Sequence, residues 1–235
     1  MKRLAHAVLF LAIALLSLPL MAWTQTADER IAQRSAELAP PDLRLLIERF
    51  PAEYHRGLER ANADEGSEIH RAKLRSRIES ETRGIISMLR KNGPMPLVVE
   101  HLGILVHLVG DANNPFHIGD DDPDTHADFE EYFTRRIGHF PTYFYGIDKQ
   151  FQLDRYLDRT FARTAKFVPL MTEEYTRGGE RRTSADFDDR STAFGVASVC
   201  YSHAITDVVN LDYHIWKEAG GDVHRLPRKV LPHER

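Results

Sequence analysis

The sequence predicts an all-α fold, a single-domain bundle of many helices. Apolar residues recur three and four positions apart along most of the chain, as on the buried face of a helix. Runs in which β-branched and polar residues alternate, which are typical of strands, are absent from the sequence. With 235 residues, of which 42% are hydrophobic, the chain is long enough for one domain with a substantial core.

The first half of the chain is divided into helices by proline and polar residues. Proline is accepted in the first turn of a helix but stops a helix that precedes it. The double proline at 40–41 therefore ends the first helix, and a polar stretch at 62–67 separates the third helix from a long charged fourth. The helices predicted here are 27–38, one that Asp42 caps, one from Pro51 to 61, and 70–89.

The second half of the chain contains the most apolar helix, which begins at Pro96 and is stopped by Pro115. Apolar residues lie on nearly every side of this helix, which predicts a central position in the core. An acidic loop at 119–125 and a polar linker at 178–190 separate the helices that follow. These helices are predicted at 126–137, at two places within 148–177, and at 192–219.

The first 22 residues have the pattern of a secretory signal peptide. Two basic residues precede an apolar stretch at 7–20, and the small Ala22 offers a cleavage site. The apolar stretch is too short to span a bilayer comfortably. We therefore predict that 1–22 are removed, that Trp23 becomes the mature N-terminus, and that the protein is secreted or periplasmic. The alternative is an uncleaved membrane anchor.

Charge and cysteine content narrow the function classes. The net charge of −4 does not indicate strong electrostatic binding to nucleic acid. Cys200 is the single cysteine, so the chain has no internal disulfide, and its apolar surroundings predict a buried core residue. No feature of the sequence indicates a protein partner, and we expect a monomer.

A cluster of histidine and acidic residues in the centre of the chain predicts a metal site. Side chains four apart in a helix lie on one face, so His107 and Asp111 point the same way, and so do His126 and Glu130. Pro115 ends the first of these helices and turns His117 back towards the same space. Imidazole and carboxylate ligands without thiolate suit zinc in a site that keeps room for water. The alternative interpretation is that these residues form a purely structural hydrogen-bond network. The five candidate ligands are His107, Asp111, His117, His126 and Glu130.

This spacing, H-x3-D-x5-H followed by H-x3-E, resembles that of the zinc-dependent phospholipase C family and the related single-strand-specific zinc nucleases. Those enzymes are all-helical, bind three zinc ions and hydrolyse phosphodiesters. The resemblance implies a single helical domain over 23–235. It also implies one zinc held by His107 and Asp111, with Asp111 bridging to another, and a zinc held by the three candidates that follow.

The resemblance further implies ligands outside this cluster. Trp23 would bind zinc through its amino group and its carbonyl oxygen. Asp28 stands where the family has a histidine ligand. Its carboxylate can still bind zinc, or it can equally serve as the N-cap of the helix at 27–38. The change from histidine to aspartate can weaken or remove the third zinc, so the expected count is two to three zinc ions per chain.

One more aspartate and one more histidine complete the family's site. We assign them to Asp64 and His70, which flank the polar break before the fourth helix. Asp42 and His55 are the alternative pair, although both also fit a helix surface or a cap. In the family's reaction Asp64 would orient or deprotonate the attacking water.

The function that the resemblance implies is that of an exported zinc-dependent hydrolase of phosphodiester bonds, phospholipase C-like, in which a metal-activated water attacks phosphorus. A phospholipid head group, single-stranded nucleic acid and a small phosphodiester all fit such a site as substrates. The net negative charge and the acidic loop favour the phospholipid. The alternatives are a single-strand-specific nuclease of the same fold and a non-catalytic zinc-binding helical module that lacks the third metal.

Other polar and aromatic residues have weaker claims to a functional role. His101 lies six residues before His107 and therefore faces another side of the helix, where it is expected to pack or to support the site. The aromatic stretch at 139–145 can either line a substrate cleft or form core. Hydrogen bonds inside the bundle are expected for three polar residues of the last helix, namely His203, Asp207 and His214.

Overall fold

The computed structural model describes the backbone of 25–63, 68–119 and 123–224, and the side chains of 27–62, 73–119 and 123–224. Several sequence-based predictions fall outside these residues. They are the signal peptide, Trp23, Asp64, the side chain of His70, and three aspartates of the acidic loop, Asp120, Asp121 and Asp122.

The described residues form an all-α bundle, as predicted, and none of them lies in a strand. Short 3-10 turns follow the seventh, eighth and ninth helices, and another lies at Ser184–Asp186. The α-helices are α1 (Gln25–Leu38), α2 (Pro41–Arg49), α3 (Pro51–Ala63), α4 (Glu68–Arg90), α5 (Met95–Ala112), α6 (Pro115–Ile118), α7 (Pro123–Arg136), α8 (Leu153–Thr164), α9 (Val168–Thr176) and α10 (Thr192–Glu218).

Helix α5 runs through the core, as its apolar sequence predicts. Every residue from Leu102 to Ala112 is buried, and the helix packs against α1, α3, α4 and α10. By length and composition α5 could cross a bilayer, but 72% of it is buried inside the protein. Its apolar character is therefore explained by its central place in the bundle.

The start of α7 differs from the prediction. The helix begins at Pro123 and not at His126, because proline at the first helical position already has a suitable φ and has no N–H to leave unpaired. Asp124 therefore belongs to the first turn of α7 and not to the predicted loop.

The chain turns sharply between α5 and α7, as predicted from Pro115. Helix α5 ends at Ala112, and Asn114 caps the short α6 by accepting a hydrogen bond from Phe116 N at 3.0 Å. The turn brings α6 back against α5, which places His117 beside the end of the core helix.

An extended segment, 141–148, lies along α10 and divides the aromatic stretch between core and surface. Phe140 and Phe144 are buried, whereas Tyr143 and Tyr145 are half exposed. Polar residues spaced by four along α10 hold the segment. Four helical residues rise about as far as two extended ones, roughly 6 Å, which matches the step from Tyr143 to Tyr145. The next step, to Asp148, takes three residues, because Gly146 with its φ of 103° departs from the extended conformation. The hydrogen bonds join Tyr143 N to Ser202 Oγ at 3.1 Å, Tyr145 N to Thr206 Oγ1 at 3.1 Å and Asp148 N to Asn210 Oδ1 at 2.7 Å.

Candidate metal centre

Three of the predicted ligands form one compact cluster. Donor atoms of His117, His126 and Glu130 all lie within 4.8 Å of one another. His126 Nε2 is 2.8 Å from Glu130 Oε1, yet this pair does not have the geometry of a hydrogen bond. The His117 and His126 rings meet edge to face with their centroids 4.7 Å apart. Such a convergence of imidazole and carboxylate groups can hold a metal ion.

Two short elements bring this cluster together. Helix α7 presents His126 and Glu130 one turn apart on the same face, as their spacing predicts. Phe116, on α6 beside His117, is fully buried, and its ring stacks on that of His126 at 6.1 Å. Phe116 thus links the two elements that carry the cluster.

A second group of predicted residues lies between α1 and α5. His107 Nδ1 is 2.7 Å from Asp28 Oδ2, and His107 Nε2 is 3.2 Å from Asp111 Oδ2. Asp111 Oδ1 is in turn 3.7 Å from His117 Nε2, which connects this group to the three-residue cluster. The five central candidates and Asp28 therefore form one continuous polar centre inside the bundle.

Burial dominates the electrostatics of this second group. Asp28, His107 and Asp111 are all at most 1% exposed. Burial raises the pKa of Asp28 above its usual value, and the positive charge of His107 opposes that rise only in part. Burial also works against a charged His107, but Asp111 and Asp28 outweigh it and raise the pKa of His107 well above its usual value. Two buried carboxylates flanking one imidazole provide an environment that favours a cation.

The close approach of α1 to α5 depends on Gly110. A Cβ atom at this position would lie 3.3 Å from Asp28 Oδ1 and 3.6 Å from Ile31 Cδ1. The absence of a side chain therefore leaves room for α1 to bring Asp28 up to His107.

The structure excludes one interpretation of Asp28. Helix α1 begins at Gln25, so Asp28 lies inside the first turn, and the prediction that it is an N-cap is wrong. Its Oδ2 is engaged by His107, whereas its buried Oδ1 has no hydrogen-bond partner among the described residues. Asp28 can therefore orient His107 and still offer an oxygen to a metal ion.

The alternative pair is not brought to the centre. Asp42 lies in the first turn of α2, and the His55 side chain is 43% exposed. His55 lies near two surface carboxylates, with Glu29 Oε1 at 3.7 Å and Glu59 Oε1 at 3.3 Å. Both residues therefore have the helix-surface explanation that the sequence allowed. The preferred pair, Asp64 and His70, falls outside the described side chains.

Three further histidines have partners away from the metal cluster. His101 Nδ1 forms a short contact with Glu81 on α4, so it supports the packing of α5 as expected. His203 stacks on Tyr145 and His214 stacks on Phe151. Stacking was not among the interactions expected from the sequence for these two residues.

A network around Asp207 supports the end of α5, and the sequence pointed only to its central residue. Asp207 is 2% exposed and accepts hydrogen bonds from Asn113 Nδ2 at 2.9 Å and from Arg163 Nη2 at 2.6 Å. Arg163 also donates to Asn113 Oδ1 at 2.8 Å, and Thr164 Oγ1 donates to Ala112 O at 2.9 Å. These bonds fix the residues directly after Asp111. Nothing in the spacing along the chain could have joined Arg163 to Asn113.

Comparison with known proteins adds no relative to this geometry: no family model, no curated protein and no solved structure matches the chain.

The donor set itself fits a metal such as zinc. It contains only imidazole and carboxylate groups, which zinc accepts in sites that leave a position open. His126 Nε2 is buried, and its 2.8 Å contact with Glu130 Oε1 lacks the geometry of a hydrogen bond, so both atoms remain directed into the same small space. The His126 side chain is 20% exposed, against 3% for His117 and 7% for Glu130, so the cluster is reached from the side of His126.

Proposed function

We propose that this chain is an exported zinc-dependent hydrolase of phosphodiester bonds, of the phospholipase C type. The single observation that carries the proposal is the convergence of His117, His126 and Glu130 beside the buried Asp111. This ligand set corresponds to the motif whose spacing resembles the zinc-dependent phospholipases C and single-strand nucleases.

The residues of the chain have distinct roles in this proposal. His117, His126 and Glu130 would hold one zinc, while His107 and Asp111 would hold a second. Asp28 accepts a hydrogen bond from His107 Nδ1 at 2.7 Å, which fixes the ring with Nε2 directed towards Asp111. Zinc, when bound, supplies Lewis-acid chemistry and lowers the pKa of water to about 7.

Other residues would control how substrate reaches the metal site and how the attacking water loses its proton. Substrate would approach from the side of His126, the most exposed member of the cluster. Asp64 would orient or deprotonate the attacking water, and Trp23 and His70 would complete the metal ligands, as the resemblance implies. The net charge of −4 favours a phospholipid head group over a long polyanion.

Elemental analysis of the purified chain tests the metal part of this proposal. We expect two to three zinc ions per chain, removable by a chelator. A chain without zinc, which also fails to take up zinc after purification, would overturn the proposal.

An activity panel tests the reaction class. Turnover of bis-p-nitrophenyl phosphate, phosphatidylcholine and single-stranded DNA is measured with and without chelator, and we expect phosphatidylcholine to be cleaved. His117→Ala should abolish turnover, whereas His224→Ala, at an exposed site, serves as the matched control. Cleavage of DNA alone would indicate the nuclease, and bound zinc without any chelator-sensitive turnover would indicate a non-catalytic module.

A further inference from the structure

We propose that Asp128 is a positioning residue of the metal centre, which holds α7 in place so that His126 and Glu130 stay aligned with His117. This inference rests on the proposed function, because it assigns a purpose to contacts around the same metal site. Asp128 lies midway between His126 and Glu130 in the sequence. With 3.6 residues per turn, its side chain leaves the helix roughly 160° away from either ligand, close to the opposite face.

Asp128 is anchored by three hydrogen bonds from outside α7. Tyr175 Oη donates to Asp128 Oδ2 at 2.8 Å, and Ser184 N donates to the same oxygen at 2.8 Å. Ser184 Oγ donates to Asp128 Oδ1 at 3.0 Å. Hydrogen bonds to an ionised acceptor are roughly twice as strong as neutral ones. Both carboxylate oxygens are thus used to fasten α7 to α9, through Tyr175, and to the turn after α9, through Ser184.

Tyr175 also contacts the other element of the metal cluster. Its ring meets the ring of Phe116 edge to face, with the centroids 6.0 Å apart. Phe116 precedes His117 and stacks on His126. A single side chain therefore touches α7 through its hydroxyl and α6 through its ring, which couples the positions of the two ligand-bearing elements.

The turn that carries Ser184 is itself held firmly. Arg135 Nη2, at the end of α7, donates to Ser184 O at 3.1 Å. The buried Glu174 binds Arg182 at 3.0 Å, and Arg182 N donates to Tyr175 O at 2.8 Å. Asp128 is therefore attached to a fixed support and not to a loose loop, as a positioning role requires.

The role predicts a loss of metal affinity when Asp128 is changed. Without the carboxylate, α7 can shift relative to α6, and the three donor atoms no longer converge at one point. Outer-shell residues of metal sites typically contribute about 10- to 100-fold to affinity. Asp128→Asn keeps the size of the side chain but replaces one acceptor oxygen with a donor.

The test is a competition titration of the metal-free full chain with Zn²⁺ against a chromophoric chelator. We expect Asp128→Asn to weaken zinc binding at least about tenfold, and Tyr175→Phe to weaken it in the same direction, although its ring contact is kept. Glu131→Gln is the matched control, because this acid lies on the same helix with its side chain 76% exposed. It should change the affinity by less than about twofold.

The same titration separates the possible failures. A wild-type chain that binds no zinc would overturn the proposed function and this inference with it. Zinc binding by the wild type with unchanged affinity in Asp128→Asn, together with a lower thermal midpoint of the metal-free chain, would mean that Asp128 only stabilises the fold. If Asp128→Asn does not fold, Tyr175→Phe decides, and an unchanged zinc affinity in that variant overturns the inference.

Discussion

Asp212 is a buried acid on α10 whose surroundings oppose its ionisation. It is 3% exposed, and burial raises its pKa from 3.8 to about 8. The folded chain therefore keeps a proton that the unfolded chain releases between these two pH values. Because the folded state binds more protons in this window, the free energy of unfolding falls as the pH rises from about 4 to about 8.

Replacement of this acid should remove that part of the pH dependence. Asp212→Asn cannot ionise, so its free energy of unfolding should increasingly exceed that of the wild type as the pH is raised from 4 to 8. Urea denaturation of the metal-free chains at several pH values measures the difference. Asp154→Asn, whose side chain is 63% exposed, is the control and should follow the wild type. Parallel pH profiles for Asp212→Asn and wild type would contradict the assignment.

At the metal centre, the sequence could predict residue types but not all of their partners. The spacing of His126 and Glu130 predicts a shared helix face, and the structure places them together with His117. The structure also shows that Asp128 accepts three hydrogen bonds, from Tyr175 on α9 and from Ser184 in the turn that follows. These partners are 47 and 56 residues away in the chain, so no local pattern could have indicated them.

Helices α3 and α5 cross with their backbones in direct contact. A Cβ atom on Gly103 would overlap the carbonyl oxygen of Tyr54, and one on Gly57 would overlap the carbonyl oxygen of Glu100. Neither obstacle is a flexible side chain that could move aside. This crossing sets the position of α5, and with it the positions of His107 and Asp111.

A methyl group at this crossing should therefore destabilise the protein. We expect Gly103→Ala to lower the free energy of unfolding by about 1–3 kcal/mol or more, since the helices must separate to admit it. Gly84→Ala is the matched control, because nothing lies within 4 Å of its added Cβ on α4. There alanine should stabilise the helix by about 0.5–1 kcal/mol. Chemical denaturation measures both variants, and equal effects would contradict the described crossing.

Helix boundaries were predictable wherever proline or a polar stretch marks them. The structure confirms separate helices before and after Pro40, two helices within 148–177, and a last long helix from Thr192. The start of α7 was missed because the acidic residues after Gly119 suggested a loop, although Pro123 fits a first helical position. The segment along α10 could not be predicted, since its order comes from hydrogen bonds to Ser202, Thr206 and Asn210.

At the scale of the whole molecule, the all-α class follows directly from the sequence, whereas the packing does not. Helical periodicity and the absence of alternating β-branched runs determine the class. The apolar sequence of α5 also predicts its central place, and Cys200 is buried as expected, where burial raises its thiol pKa to about 12. Which helices cross at Gly57 and Gly103 depends on contacts between distant parts of the chain.

Metal binding should stabilise the whole bundle, because the candidate ligands join α5, α6 and α7. A ligand that binds only the folded state stabilises it by about 2.7 kcal/mol when its concentration is 100 times its Kd. We therefore expect zinc to raise the thermal midpoint of the metal-free chain and a chelator to reverse the shift. His117→Ala should respond much less than the wild type in the same melting experiment. An equal response of the two chains would place the zinc elsewhere.

The most direct test of the central claim is anomalous X-ray scattering at the zinc absorption edge, from crystals of the chain grown with zinc. We expect a peak between the donor atoms of His117, His126 and Glu130, at the metal–ligand distances of about 2.0–2.2 Å that are typical of zinc. Loss of that peak in His117→Ala crystals would tie it to these ligands. Peaks found only at surface groups such as His55 and Glu59, with none among the three residues, would contradict the account.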